Sequence, residues 1–200
     1  MRTFVQGTHP GCPRPYRPFR MCYGQLRVPP PVVLLHRKPR PFAMDQMPKQ
    51  LIGITEANKL LGALTNLPVS LPWKGYGSAI FLELGKLAPL ERPRQHHNKG
   101  EVCIFLEEGW RVEAASEVLY SSSSDRPSIA AGVEKLRGTK IAEICIDDAI
   151  SEFQIHFSSG CRIVSSMTEA EAEWSIRLAP GLWLSWADNA LNIGDGKGEL

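Results

Sequence analysis

The stretch Thr139–Leu178, TKIAEICIDDAISEFQIHFSSGCRIVSSMTEAEAEWSIRL, decides the fold class of this chain. Phe153, Ile155 and Phe157 alternate with polar neighbours, and the segment from Trp174 to Leu178 repeats the pattern. Successive side chains leave a β-strand on opposite faces, so strict alternation is typical of strands with one buried face. The sequence therefore predicts a central antiparallel sheet with one wet face.

Helices are predicted on either side of further strands. Thr55 precedes an apolar stripe up to Leu64 and predicts an N-capped helix, with a second helix at Ile129–Leu136 after a Ser-Asp-Pro start signal. Other predicted strands are Ser78–Leu84, a hairpin of Glu101–Leu106 with Trp110–Ala114 around Gly109, Glu117–Tyr120, Leu182–Trp186 and Leu191–Ile193. The fold class predicted is α+β, with antiparallel sheets and two short helices.

An internal offset of 72 residues suggests a duplicated unit. Gly109 would correspond to Gly181, and the apolar matches are Leu64 with Leu136, Val69 with Ile141, Phe81 with Phe153, Ile104 with Ile176, Leu106 with Leu178, and Leu119 with Leu191. Self-similarity at a fixed period is typical of a repeated supersecondary unit. We therefore predict one domain over residues 50–200, built from helix-plus-meander units at about 52–121 and 124–193.

The N-terminal region differs in composition from the rest. Residues 1–43 hold nine of the 16 prolines and eight Lys/Arg without Asp/Glu, which leaves a charge of about −6 from Met44 onward. Proline at this density opposes helix and interior strand, so residues 1–49 are predicted to be a basic disordered arm or an upstream extension, with Met44 as the start. The acidic remainder argues against nucleic-acid binding by the folded part.

Cysteine and hydropathy patterns narrow the class of protein further. The five cysteines form no C-x-x-C pair, which favours a reducing cytoplasm over a disulfide framework or a zinc knuckle. No apolar run reaches the roughly 20 residues that a membrane span needs. We expect a cytoplasmic protein without metal or cofactor.

Candidate reactive residues each have a simpler structural explanation. His96 and His97 lie in a basic loop, Asp147 and Asp148 lie where the chain must turn, and His156 alternates onto the wet face. The run Ser121–Ser124 lacks a nucleophile elbow and is predicted to be a linker. We predict no catalytic residue, and we lean away from an enzyme.

The tryptophans are the most distinctive candidates for binding. Trp110 with Arg111, and Trp183 with Trp186, could contact a partner or ligand, although burial of Trp183 in the core is favoured.

The segments GEVCIFLEEGWRVE, EVLYSSSSD, EFQIHFSSGCRIVSS and AEWSIRL resemble a group of small bacterial proteins without an assigned activity. In that group an apolar strand leads to W-R, a short strand leads to a Ser/Asp linker, and a later strand ends in E-W-x-[IL]. The resemblance covers about residues 78–178. It implies a bacterial cytoplasmic origin, is consistent with Met44 as the start, and implies no catalytic residue.

Three functions follow from the sequence as hypotheses. The leading one is a non-enzymatic interaction or accessory protein, similar to immunity proteins, that binds another protein through an acidic sheet face, or binds itself as a homodimer through sheet edges. The second is a small-molecule-binding module with a pocket between the two units lined by Trp110, Trp183 or Trp186. The third is a hydrolase that would need His96, His97 or His156 beside Asp147, Asp148 or a serine.

Overall fold

A computed structural model describes residues 49–89, 98–168, 172–179 and 181–195. The predicted arm at residues 1–49 lies outside these residues except for Lys49, and so does the loop segment that contains His96 and His97. The elements in chain order are β1 (Lys49–Leu51), α1 (Ile54–Gly62), β2 (Val69–Lys74), β3 (Ile80–Leu84), β4 (Val102–Leu106), β5 (Trp110–Ala114), β6 (Glu117–Ser121), α2 (Arg126–Glu134), β7 (Ile141–Asp147), β8 (Glu152–Phe157), β9 (Cys161–Ser166), β10 (Trp174–Ala179), β11 (Leu182–Ala187) and β12 (Ala190–Asp195).

The strands form two antiparallel sheets, which confirms the predicted α+β class. The seven-stranded sheet has the order β1-β12-β11-β10-β4-β3-β2, and the five-stranded sheet has the order β6-β5-β9-β8-β7. The inner faces of both sheets contribute to one hydrophobic core, where the rings of Phe153 and Trp174 stack with centroids 4.3 Å apart. Helix α1 packs against β7, and helix α2 packs against β2 and β6.

The two halves of the chain are interleaved between the sheets. The seven-stranded sheet joins β2–β4 from the first half to β10–β12 from the second through the β4–β10 pair, in which Ile104 lies opposite Ile176. The five-stranded sheet joins β5 and β6 from the first half to β7–β9 from the second. The predicted hairpin of β4 with β5 is therefore wrong: Gly109, with φ 69°, lies between strands of different sheets.

The first elements of the two halves correspond to each other at the offset of 72 residues. The helices match residue for residue, the Asn66 N–H donates to the Ile141 carbonyl at 2.8 Å, and the Gly138 N–H donates to the Val69 carbonyl at 2.8 Å. Asn66 and Gly138 both have positive φ, of 70° and 79°. These reciprocal contacts describe a local twofold relation around the paired residues Pro68 and Lys140.

The duplication of complete units is not confirmed, because three of the later matches lie in different surroundings, although Ile104 and Ile176 are both buried in the main core. Phe81 lies in a small cluster outside the main core, whereas Phe153 lies inside it. Leu119 is 52% exposed and Leu191 is buried. Gly181 turns the chain within the β10–β11 hairpin, unlike Gly109.

Of the two predicted helix N-caps, the structure confirms one. Asp125 caps α2 by accepting from the Ser128 N–H at 2.9 Å, as the Ser-Asp-Pro signal predicted. For α1 the predicted Thr55 cap is wrong, since the N-cap is Gly53 and makes no side-chain cap hydrogen bond. Neither described helix is long and apolar enough to span a membrane.

Candidate functional site

The outer face of the five-stranded sheet carries a polar network that we call the charge ladder. Its members come from β5, β8 and β9 and are Arg111, Glu113, Glu152, Gln154, His156 and Arg162. Alternation places their side chains opposite the core-facing Val112, Ile155 and Ile163. Pairing of β5 with β9 and of β9 with β8 brings these distant residues onto one surface.

The carboxylates of the charge ladder are matched by arginines. Glu113 accepts from Arg111 and, at 2.7 Å, from Arg162, while Arg111 also donates to Glu152 at 2.8 Å. Gln154 donates to Glu152 at 3.2 Å, and its oxygen lies 3.0 Å from Nε2 of His156. Within the charge ladder two arginines thus offset two glutamates, and Glu143 and Asp147 of β7 lie on the same face, opposite His156 and Glu152.

Hydrogen bonds and burial both act on the pKa of Glu113. The hydrogen bond from Arg111 lowers the pKa of Glu113, burial opposes this, and Arg162 lowers the pKa further. A carboxyl group whose folded pKa is depressed stabilises the fold above its unfolded pKa of about 4.3 and loses that contribution as the pH falls through the folded value.

We therefore expect Glu113→Gln to lower the free energy of unfolding at neutral pH by about 1–3 kcal/mol. The difference between wild type and variant should shrink as the pH is lowered from 5 through the depressed folded pKa. Denaturant titrations across this range measure it. Glu134→Gln is the matched control, because Glu134 pairs with Arg137 on an exposed helix surface and should change the pH dependence less. An equal pH dependence in wild type and Glu113→Gln would contradict the assignment.

The rim of this sheet exposes apolar side chains. Strand β6 lies at the sheet edge, and its Val118 and Leu119 are 58% and 52% exposed. The pairing of β5 with β6 shifts between Val112 and Glu113, so that Leu119 is the extra residue of a β-bulge. We call Val118 and Leu119 the β6 rim.

The other sheet edges are shorter or are covered. Edge strand β7 contacts α1, edge strand β2 contacts α2, and edge strand β1 has only three residues. Helix α2 also contacts β6 near Tyr120, whose ring would lie 2.5 Å from a Cβ at Gly132. In the part of the chain that the structure describes, Val118 and Leu119 nevertheless stay more than half exposed on this edge strand.

The turn before the β6 rim is also unusual. Ala115 and Ser116 have φ values of 49° and 69°, in the left-handed region where most L-residues pay a steric cost. Glycine, asparagine or aspartate normally occupies such positions in hairpin turns. The β11–β12 turn follows this preference, with Asp188 and Asn189 at positive φ.

The predicted binding tryptophans lie in different environments. Trp110 is 1% exposed in the main core, on the five-stranded sheet. Trp183 is 7% exposed and lies on the opposite face of β11 from core residue Leu184, whereas Trp186 is half-buried against the main core. Of the predicted binding residues only Arg111 belongs to the candidate site, and sequence reasoning missed the β6 rim.

The predicted reactive residues have structural roles or lie apart. Asp147 accepts from the Ala149 N–H at 3.0 Å within a turn, as expected, and Ser121–Ser124 bond one another before α2. Burial raises the pKa of the Cys103 thiol well above its usual range, and Glu83 raises it further, so its nucleophilic thiolate is disfavoured. Among the described residues there is no group of three His, Cys, Asp or Glu side chains that could hold a metal ion.

A shallow depression of about 370 Å³ lies on the connection between β3 and β4. It is lined by Lys86, Leu87, Ala88, Pro89, Gly100 and Glu101. No member of the charge ladder lines this depression, and its described lining contains no histidine or serine.

Comparisons with protein families, curated proteins and solved structures give no match for this chain. The resemblance to small bacterial proteins therefore stays a prediction, as does a cytoplasmic location.

Proposed function

We propose that this protein is a non-enzymatic interaction module that binds an extended segment of another protein at the β6 rim. The observation that carries the proposal is the pair Val118 and Leu119, each more than half exposed on an edge strand beside an ordered charge ladder. Exposed apolar side chains on sheet edges are typical of protein–protein contacts, since their burial releases water and the edge offers unpaired backbone groups.

The neighbouring charges indicate what the partner segment should carry. Arg111 and Arg162 retain side-chain exposures of 32% and 39%, and both are held in place by Glu113. A partner segment with an apolar residue for the β6 rim and a carboxylate for these arginines fits the surface. The bulge at Leu119 makes the backbone of β6 irregular. We therefore expect side-chain contacts to contribute more to binding than a long run of backbone hydrogen bonds.

A site-specific photo-cross-linker tests this proposal. p-Benzoylphenylalanine at position 119 is expected to form an adduct with one discrete protein in a lysate, and Val118→Lys should reduce its yield by about tenfold because a charge would be buried in the contact. The same cross-linker at Ile150, which is 55% exposed in the β7–β8 turn, is the matched control.

The adduct protein, once purified, should bind wild type and lose affinity for Val118→Lys. An adduct between two copies of this chain would identify a homodimer through the same rim. Equal labelling at positions 119 and 150, or binding that is insensitive to Val118→Lys, would overturn the proposal.

A further inference from the structure

The turn between β2 and β3 presents an exposed aromatic ring beside a cation. Tyr76 is 83% exposed, and the guanidinium carbon of Arg126, at the start of α2, lies 5.7 Å from the centre of its ring. Packing of α2 against β2 brings together these residues, which are 50 positions apart. An aromatic ring with so much free surface has room for a second contact in addition to the cation–π contact.

A second cation, Lys74, belongs to the same turn as Tyr76 and bonds to the carbonyls on either side of it. Burial lowers the pKa of Lys74, and the positive charge of Arg126 lowers it further, so the two charges oppose each other. The ion pairs in the described part of the chain are formed by arginines other than Arg126. Neither Lys74 nor Arg126 has a carboxylate of the described residues within 4 Å. The neighbouring Asp125 is bonded instead to the backbone and hydroxyl of Ser128, at 2.9 and 2.6 Å.

The turn that carries these groups is held by internal hydrogen bonds. Lys74 donates to the carbonyls of Gly75 and Gly77 at 3.0 and 2.6 Å, and the Gly75 N–H donates to the Ala79 carbonyl at 2.8 Å. A Cβ at Gly75 would lie 2.7 Å from the ring of Phe81. A third ammonium hydrogen of Lys74 and the guanidinium donors of Arg126 stay available, so little ordering would be needed for binding.

We propose that Lys74, Tyr76 and Arg126 bind an organic anion. Its phosphoryl or carboxylate group would offset the repulsion between the two cations, and its apolar or aromatic body would pack on Tyr76. Two cations fall short of the six to ten phosphate contacts that are typical of nucleic-acid binding, and the chain from Met44 is acidic, which favours a small anion. This site is separate from the β6 rim and does not depend on it.

NMR titration of the full chain with phenyl phosphate, inorganic phosphate and phenol tests the proposal. Phenyl phosphate should shift the amide signals of Gly75, Gly77 and Arg126 and bind more tightly than inorganic phosphate, while phenol should bind weakest. Arg126→Gln should weaken phenyl phosphate binding about tenfold, through the loss of a charge-assisted hydrogen bond. Tyr76→Leu should abolish the preference for phenyl phosphate over inorganic phosphate.

Arg137→Gln is the matched control, since Arg137 is an exposed arginine already paired with Glu134, and it should leave the affinity unchanged. All three substitutions are on the surface, and the dispersion of the amide spectrum reports whether each variant is folded. Shifts that spread over unrelated basic residues, or equal affinities of Arg126→Gln and Arg137→Gln, would overturn the proposal.

Discussion

Replacing Trp174 by alanine is expected to lower the free energy of unfolding by about 3–5 kcal/mol. Trp174 is 1% exposed, and its ring stacks on Phe153 of the opposite sheet, so truncation leaves a cavity between the two sheets. Denaturant unfolding of wild type and variant under the same conditions measures the loss.

Trp174→Phe is the informative control for this prediction. The indole N–H of Trp174 is buried without a hydrogen-bond partner, so phenylalanine loses some packing but also removes an unsatisfied donor. We expect a loss below about 2 kcal/mol. An alanine variant as stable as wild type would show that the sheets do not pack through this residue.

Gly100→Ala is expected to destabilise the fold by about 2–4 kcal/mol. A Cβ at this position would lie 2.5 Å from the Leu84 carbonyl oxygen and 2.6 Å from the Leu84 nitrogen, and backbone atoms of a central strand pair cannot move aside easily. The Gly100 N–H also donates to the buried Glu83 at 2.8 Å, and its carbonyl accepts from Arg177 at 2.9 Å. Displacement of Gly100 would thus disturb a buried ion pair as well.

Gly62→Ala is the matched substitution, because Gly62 lies in α1 and a Cβ there meets no atom within 4 Å. Alanine is the better helix former, so we expect a gain of about 0.5 kcal/mol. Thermal unfolding of both variants separates the two effects. Similar shifts for Gly100→Ala and Gly62→Ala would contradict the close contact at Gly100.

Local patterns in the sequence predicted most elements but not the pairing of all of them. Alternation located β8 and β10 because apolar side chains alternate with polar ones along each of these strands. Strand β2 was missed because it contains Pro72, and an edge strand tolerates a proline that an interior strand would not. The β4–β5 hairpin was predicted from a short Glu-Glu-Gly connection, but strands joined by so short a loop can also cross between two packed sheets.

The candidate sites depend on contacts that no local pattern encodes. Alternation cannot distinguish an edge strand from an interior one, so Val118 and Leu119 read as ordinary sheet residues. Tyr76 and Arg126 meet only because α2 packs against β2. Arg111 was proposed from the sequence as a contact residue together with Trp110, and alternation along β5 separates them, since Trp110 is buried and Arg111 lies on the opposite face.

Interleaving of the two chain halves is the claim on which the charge ladder beside the β6 rim depends, because Arg162 reaches Glu113, and Glu152 reaches Arg111, only if β5 pairs with β9. Inter-strand nuclear Overhauser effects measure this pairing directly. The structure predicts cross-strand contacts of Val112 with Ile163 and of Ile104 with Ile176. Contacts that instead run between β4 and β5, as in a hairpin, would contradict it.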